Sequence, residues 1–452
     1  MPAYTSDLDE FSKRASAELL ERRLNYSQWW DYYEGRQKKF LKTREGEPDY
    51  NVVVNLCARV VDQSVNFMVG TAPSFDLPGD SEDVQVAEAL LQAWCDLNDW
   101  GEFLTDLMTT SAVCGHAFVK LIHEPELGNV RPVVLDPALV CVFWEATDKS
   151  RVRGYSIQWS DVVSGQVVTW REDHRQNQSG GWDVLTYVSN GQAGQWTLQG
   201  ESVWPYPFPQ VADWKNLPNP RGYYGRSDIE RVISQNDAYN FRQSNTNKIL
   251  YIHAHPRTVG IGVDKTEIAK TGIDGFFTIP EGASVQNLEM QSDLESSRKH
   301  ADDTKADFFS DAQTVDLSTV KDKAGALTNF GLKLMFAEAL AKNDKKRMLA
   351  GRGLAELARR VGVVLGFAWD GATVVWSDPL PANRVEQVAN AKEEIAMGIS
   401  SRQTQSERLG YDWEREEQRI AAEKSAQQAA MSEMLLSGLR DAGGGAGQDE
   451  DD

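Results

Sequence analysis

The sequence predicts an α+β fold on three observations. Helical periodicity runs through the first hundred residues and returns at the C-terminal end. Between them, residues 116–188 alternate apolar and polar with period two, broken by turn-rich segments such as Val163-Ser164-Gly165-Gln166 and Ser179-Gly180-Gly181. After that antiparallel β region come two long helical stretches with thin apolar stripes, separated by a small glycine-rich piece.

The first of these, Arg221 to Ile252, is the stretch around which the rest is organised. Ser227 is the expected N-cap, with Asp228 and Glu230 in the first turn, where the helix dipole favours acids. Ile229, Val232, Ile233 and Tyr239 share one side, while Gln243 to Asn247 make the middle polar and almost uncharged. About 25 residues at ~1.5 Å each span nearly 40 Å. A helix that long with so little apolar surface is expected to pack sideways on copies of itself or on a partner helix.

Taken in order, residues 5–34 read as a helix ending at Gly35, Asn51 to Met68 as a core helix stopped by Gly70 and Pro73, and two more begin at Ser81 and Trp100. Strands are expected at Ala117–Ile122, Val133–Leu135, Val140–Phe143, Arg153–Trp159, Val167–Trp170 and Val184–Val188. Seven of the fourteen tryptophans lie in or just after this block, where they serve core and edge packing or, in the alternative, line a sugar site. The run from Trp204 to Pro209 carries three prolines and reads as a stiff extended connector into the organising helix.

His253 to Glu289, with short strands around Arg257–Gly260 and Phe276–Ile279, reads as a small α/β insertion. A second long helix follows at residues 291–312, where Leu294, Ala301 and Phe308 recur every seven positions. Gln313 to Ala324 lacks an apolar period and is expected to be a loop. Gly325 to Leu365 is a third long helix, with Leu327, Phe330, Leu334 and Ala337 on one face, Lys342, Lys345, Lys346 and Arg347 on another, and a bend at Gly351 and Gly353. Thr373–Trp376 reads as a strand, Asn383–Met397 and Trp413–Leu439 as helices, and the final GGGAGQDEDD as a disordered tail.

At 452 residues and 41% hydrophobic the chain holds real cores. Its net charge of −20 argues against gripping nucleic acid by broad phosphate neutralisation. Cys57, Cys95, Cys114 and Cys141 have no C-x-x-C spacing and read as buried thiols rather than a zinc or disulfide framework. No run of 18 apolar residues occurs, so no membrane partner is expected.

Chemistry is hard to find. There is no phosphate-cradling G-x-x-x-x-G-K-[ST], no G-x-S-x-G and no H-E-x-x-H. Ser296-Ser297-Arg298-Lys299 and Lys270-Thr271-Gly272 match fragments of a penicillin-binding site in reversed order and are read as coincidence. His253 with His255, and Asp302, Asp303 and Asp307, lack a third ligand or an enclosing geometry for a metal. The expectation is a protein without a catalytic, cofactor or metal site; the alternative is a Trp-rich carbohydrate-binding or hydrolytic protein with an unrecognised site.

Several strings, in order, resemble the bacteriophage portal proteins of long non-contractile-tailed phages: Tyr32-Tyr33-Glu34-Gly35-Arg36-Gln37, then Asn51-Val52-Val53-Val54-Asn55 and Gly70-Thr71-Ala72-Pro73, then Gly225-Arg226-Ser227-Asp228-Ile229-Glu230 with Asp237-Ala238-Tyr239-Asn240. The resemblance spans nearly the whole chain. It implies a wing at residues 1–224, stem helices at 225–252 and 291–312, and a clip at 253–290. It further implies a tunnel loop at 313–324, a kinked helix with a return to the wing at 325–400, a crown at 401–440 and an acidic tail at 441–452.

The resemblance also implies a homo-oligomeric ring, usually of twelve subunits, at one capsid vertex of the virion, made in the host bacterial cytoplasm. Double-stranded DNA passes through such a ring during packaging and ejection. The implied partners are the terminase large subunit and the head-tail adaptor at the clip, and scaffold and major capsid protein at the wing. In that frame Ser318, Thr319, Lys321 and Lys323 are the expected DNA-channel residues, and Ile229, Tyr239, Leu294 and Phe308 the expected stem contacts between subunits.

Overall fold

The computed structural model describes residues 8–41, 48–79, 81–145, 147–189, 196–254, 258–261, 282, 284–287, 294–321, 329–367, 369–380, 384–413 and 415–428. These fall in two compact units, residues 1–379 and 380–452. Both helices and antiparallel sheet are present, so the fold is α+β.

In the first unit α1 (Leu8–Tyr33) is ended by Gly35, whose φ of 77° lies in the left-handed region that a residue without Cβ enters cheaply. The chain then runs extended through residues 51–55 before α2 (Leu56–Val69) starts, capped by the Asn55 side chain, which accepts from the Ala58 N–H at 3.1 Å. The helix expected from Asn51 therefore begins five residues later, because the backbone of 50–56 bonds elsewhere, as described below. A short β1 (Ser74–Asp76) leads to α3 (Glu82–Leu97) and α4 (Trp100–Cys114). Leu56, Val60, Leu104 and Leu107, from α2 and α4, are fully buried and anchor the larger core.

The strands separate into two sheets. In one, β2 (His116–Glu124) lies between β3 (Asn129–Leu135) and β9 (Val211–Lys215). In the other, β4 (Val140–Glu145), β5 (Asp148–Val163), β6 (Gln166–Gln176), β7 (Trp182–Ser189) and β8 (Thr197–Trp204) form a five-stranded antiparallel meander in chain order. Sequence periodicity misses β8, whose residues are exposed from Thr197 to Val203, and β9, which is only five residues long. The Pro-rich run leads into β9, not into a helix. Tyr206 stacks on Phe208 at 5.7 Å, and Trp144, Trp182, Trp204 and Phe208 are buried in the second core with Phe118, so these tryptophans pack the interior.

The organising helix, α5 (Ile233–Ala254), starts six residues after the expected cap. The Ser227 hydroxyl instead accepts from the Ile229 N–H at 3.1 Å and donates to the Ala112 carbonyl at 3.3 Å, tying the turn to the end of α4. β10 (Thr258–Ile261) pairs antiparallel with β11 (Ser284–Asn287); the strand expected at Phe276–Ile279 and the rest of that insertion lie outside the described residues. His253 belongs to the last turn of α5, not to a strand, and His255 lies outside the described residues.

α6 (Glu295–Asp311) then runs antiparallel to α5: Gln235 donates to Asp311 near one end, and Arg242 meets His300 at 3.0 Å. After a short turn of helix, α7 (Leu317–Lys321), come α8 (Asn329–Met335), α9 (Ala337–Leu365) and β12 (Thr373–Val375), which pairs with β1.

The long third helix breaks at Phe336 and runs unbroken through Gly351 and Gly353. Gly353 has a packing reason: a Cβ there would lie 2.5 Å from the Trp214 ring of β9. Leu334 is exposed, whereas Phe336 and Ala339 are buried, so the anchoring face is shifted from the one expected; Leu327 and the Phe330 side chain lie outside the described residues.

The second unit holds α10 (Arg384–Ala396), α11 (Arg402–Arg408), capped by Ser401, and helical residues at 415–428. Residues 429–452 lie outside the described residues.

Ala normally stabilises a helix over Gly by ~1 kcal/mol, but at position 353 the added methyl must displace an indole. Gly353→Ala should lower stability by about 1–3 kcal/mol through overpacking. The check is the midpoint of chemical denaturation, where an unchanged or raised value would contradict the tight α9–β9 contact.

Candidate functional site

The string Gly225 to Glu230 builds the centre of the first unit. Gly225 passes so close to Gly115 that a Cβ would meet the Gly115 carbonyl oxygen at 2.3 Å, which fixes the backbone of the turn against the end of α4. The Asp228 N–H donates to Ala112 O at 2.9 Å, and its carboxylate is sealed inside the protein.

Two ammonium groups share that carboxylate. Lys342 Nζ lies 3.2 Å from Oδ1, Lys346 Nζ is bonded to Oδ2, and Asn216 Nδ2 donates to Oδ1 at 3.1 Å. Each amine also has a second acceptor: Lys342 donates to Ala312 O at 2.8 Å and Lys346 to Ser64 Oγ at 2.6 Å. Five segments thus meet on three side chains: α2, the residue after β9, the turn before α5, the end of α6, and α9. Lys342 and Lys346 are one helical turn apart, on the same stripe as Ala339, Ala350 and Leu354. Of the basic cluster expected together on one face, Lys345 faces out, while Arg347 donates to Phe67 O and Ser377 O, each at 2.7 Å.

Burial works against the Asp228 charge, but Lys342 and Lys346 overcome it and hold the carboxyl at about 2. Burial, with the repulsion of Lys342, outweighs the attraction of Asp228 for Lys346 and lowers that amine to about 8. The two directions differ in cause: the paired lysines hold the Asp228 carboxyl down against burial, whereas burial first, and the neighbouring Lys342 charge after it, lowers Lys346.

The chain following α6 starts at this node. Helix α6 ends in a Schellman arrangement, with Thr314 N bonded to Phe309 O and Gln313 N to Ser310 O, each at 3.0 Å, and Gln313 at φ 53°. Asp316 then accepts from the Ser318 N–H at 3.0 Å and pairs with Lys305 of α6 at 2.6 Å, while Lys305 also donates to Ser318 Oγ at 3.2 Å. The segment expected to be structureless therefore begins with a tethered helical turn. Ser318 and Thr319 are exposed on it; Lys321 ends it, and the Lys321 side chain and all of Lys323 lie outside the described residues.

A ladder along α5 explains its polar middle. Asn236, Asn240 and Ser244, four residues apart, accept the N–H groups of Leu56, Val54 and Val52 at 3.1, 2.9 and 3.0 Å, and Asn247 donates to Tyr50 O at 3.0 Å. Alternate residues of an extended segment meet successive turns of one helix face. Tyr32 donates to Asp237 at 2.7 Å, joining α1 to the same helix. This polar face is thus filled from within the chain rather than by a copy.

The same holds for most of the residues expected at subunit contacts. Ile229 and Phe308 are fully buried and Tyr239 nearly so, all in the chain's own larger core, while Leu294, partly buried, immediately precedes α6. Within one chain Ile229, Tyr239 and Phe308 thus pack into its own larger core. The remaining candidates gain no chemistry from the structure: no group of three His, Cys, Asp or Glu able to hold a metal occurs among the described residues, all four cysteines are buried, and no helix among the described residues is long and apolar enough to cross a membrane.

This architecture is similar to that of a chain in the structure titled "Virion of native gene transfer agent (GTA) particle", with a TM-score of 0.51 and 16% identity over 84% of this chain and 94% of that one. A chain in "Neck of native GTA particle computed with C12 symmetry" is similar at a TM-score of 0.48 and 16% identity over the same shares. No curated protein matches in sequence.

The family model "Phage portal protein, SPP1 Gp6-like" matches residues 12–430. The chain belongs to that family: it is a phage portal protein.

Asp228→Asn leaves two enclosed ammonium groups without a counter-charge and should cost about 3–5 kcal/mol. Lys346→Met leaves the Asp228–Lys342 pair intact and should cost far less; equal losses in chemical denaturation would contradict the shared-carboxylate reading.

Between pH 8 and 10.5 the unfolded chain holds a Lys346 proton that the folded chain has released. That group therefore makes the fold more stable as pH rises through this window, while Asp228 makes it less stable as pH falls from 3.8 towards about 2. The stability difference between wild type and Lys346→Met, measured across pH 7–11, should change through the upper window; a flat difference would contradict the lowered Lys346.

Proposed function

We propose that copies of this chain close into a ring, of twelve subunits as is usual in the family, at one vertex of the capsid. Double-stranded DNA enters and leaves through its centre. The observation that supports this most is the order of parts: the antiparallel α5 and α6, joined through the β10–β11 pair, are followed directly by the tethered turn α7 and the long α9. These correspond to stem, clip, tunnel loop and kinked helix.

Residues 1–224 are then the wing, which meets scaffold and major capsid protein, and 253–290 the clip, which docks the terminase large subunit and later the head-tail adaptor. Residues 401–440 are the crown. In the loop, Ser318, Thr319, Lys321 and Lys323 meet DNA. Brief contacts from a few lysines per subunit suit a conduit, since a wall of cations releasing many counterions would hold DNA in place. The net charge of −20 fits the same requirement.

The subunit contact is carried by the α5 face that neither α6 nor the 50–56 segment occupies, where Phe241 is 61% exposed. Phe241→Asp should leave the monomer folded and reduce ring formation, because an unpaired charge in a closed contact costs several kcal/mol. Native mass spectrometry that still shows intact rings would contradict this contact. For the channel, Lys321→Glu combined with Lys323→Glu should assemble normally and shorten the DNA packaged in a reconstituted motor assay; full-length packaging at the normal rate would remove these lysines from the mechanism.

A further inference from the structure

Helix α3 has two apolar faces. One carries Leu91, Trp94 and Cys95 into the larger core, with the Trp94 indole N–H donating to Val130 O at 2.9 Å. The other carries Val86, Leu90 and Leu97, at spacings of four and seven residues, and leaves them 56%, 40% and 64% exposed. At its C-terminal end the stripe opens into a cleft of about 390 Å³ whose wall includes Leu97, Pro132 and Leu127, the last 74% exposed.

The surroundings are one-sided in charge. Glu82 and Asp83 stand at the first turn and Asp96 beside the stripe, while Asp99 and Glu124 line the cleft next to the exposed Glu126. The cation lining that cleft, Arg131, is already paired with Glu124 at 3.0 Å. An apolar stripe over about 16 Å of helix, rimmed by carboxylates, is the complement of an amphipathic helix with basic flanks.

We infer that the outer face of α3, with the Leu97–Leu127 cleft, docks a basic amphipathic helical segment of another virion protein. The leucines supply the buried contact, and the acidic rim sets orientation and rejects acidic partners. The surface is independent of the DNA path and of the α5 face, so it stands or falls separately from them.

The test uses the full chain and two synthetic peptides, one with leucine and lysine at helical spacing and one with glutamate in place of lysine. The lysine peptide should bind, with the glutamate peptide about tenfold weaker or worse. Leu90→Ser with Leu97→Ser should weaken the lysine peptide about tenfold, and Asp96→Lys with Glu126→Lys should weaken it and flatten its salt dependence. None of these side chains is part of the buried core, so circular dichroism should show each double variant folded at the temperature of the binding assay.

In assembled particles, a photo-cross-linking amino acid at position 97 should join a basic amphipathic peptide of a different protein. Equal binding of both peptides, unchanged binding in either double variant, or a cross-link to a second copy of this chain, to an acidic segment or to nothing would overturn the inference.

Discussion

The enclosed carboxylate of Asp228 is the constraint on which the rest of the first unit depends. An isolated buried charge is costly, so Asp228 requires its two lysines, and each lysine takes a second acceptor, Ala312 O or Ser64 Oγ. Meeting those needs places α9 against the end of α6 and the start of α5. The chain between Ala312 and α9, which holds the proposed tunnel loop, therefore has both of its bases on one ionic node.

The ladder from α5 to residues 50–56 adds a second constraint of the same kind. An extended segment without a sheet neighbour must still place its backbone N–H groups. Asn236, Asn240 and Ser244 do so at every second residue, which consumes a helix face that would otherwise be free for another subunit. Two of the five strings that carried the family resemblance, Asn51–Asn55 and Asp237–Asn240, meet in this contact through Val54 and Asn240. Another, Gly225–Glu230, is the turn that presents Asp228.

Much of the architecture was legible because helical and strand periods are local: α1, α3, α4 and six of the meander and β2–β3 strands fall where the pattern places them. What was not legible is long-range. A lysine pair on a helix reads as a solvated face unless its i, i+4 spacing is noticed to coincide with the apolar stripe of Ala339, Ala350 and Leu354. A polar helix middle reads as a surface until the strand that it serves is found about 190 residues earlier. The seven-residue recurrence of Leu294, Ala301 and Phe308 marks apolar positions of α6, but periodicity does not say which surface covers them; Ala301 and Phe308 pack into the chain's own core.

The proposed function requires a ring with the segment after α6 turned to its centre. The most direct measurement is electron microscopy of the purified full-length chain, viewed down the particle axis at a resolution that traces helices. Closed rings with an open centre, α5 and α6 lining up side by side from subunit to subunit and the segment after Ala312 facing the opening, are the predicted result. Isolated monomers, or rings in which that segment lies on the outer wall, would contradict it.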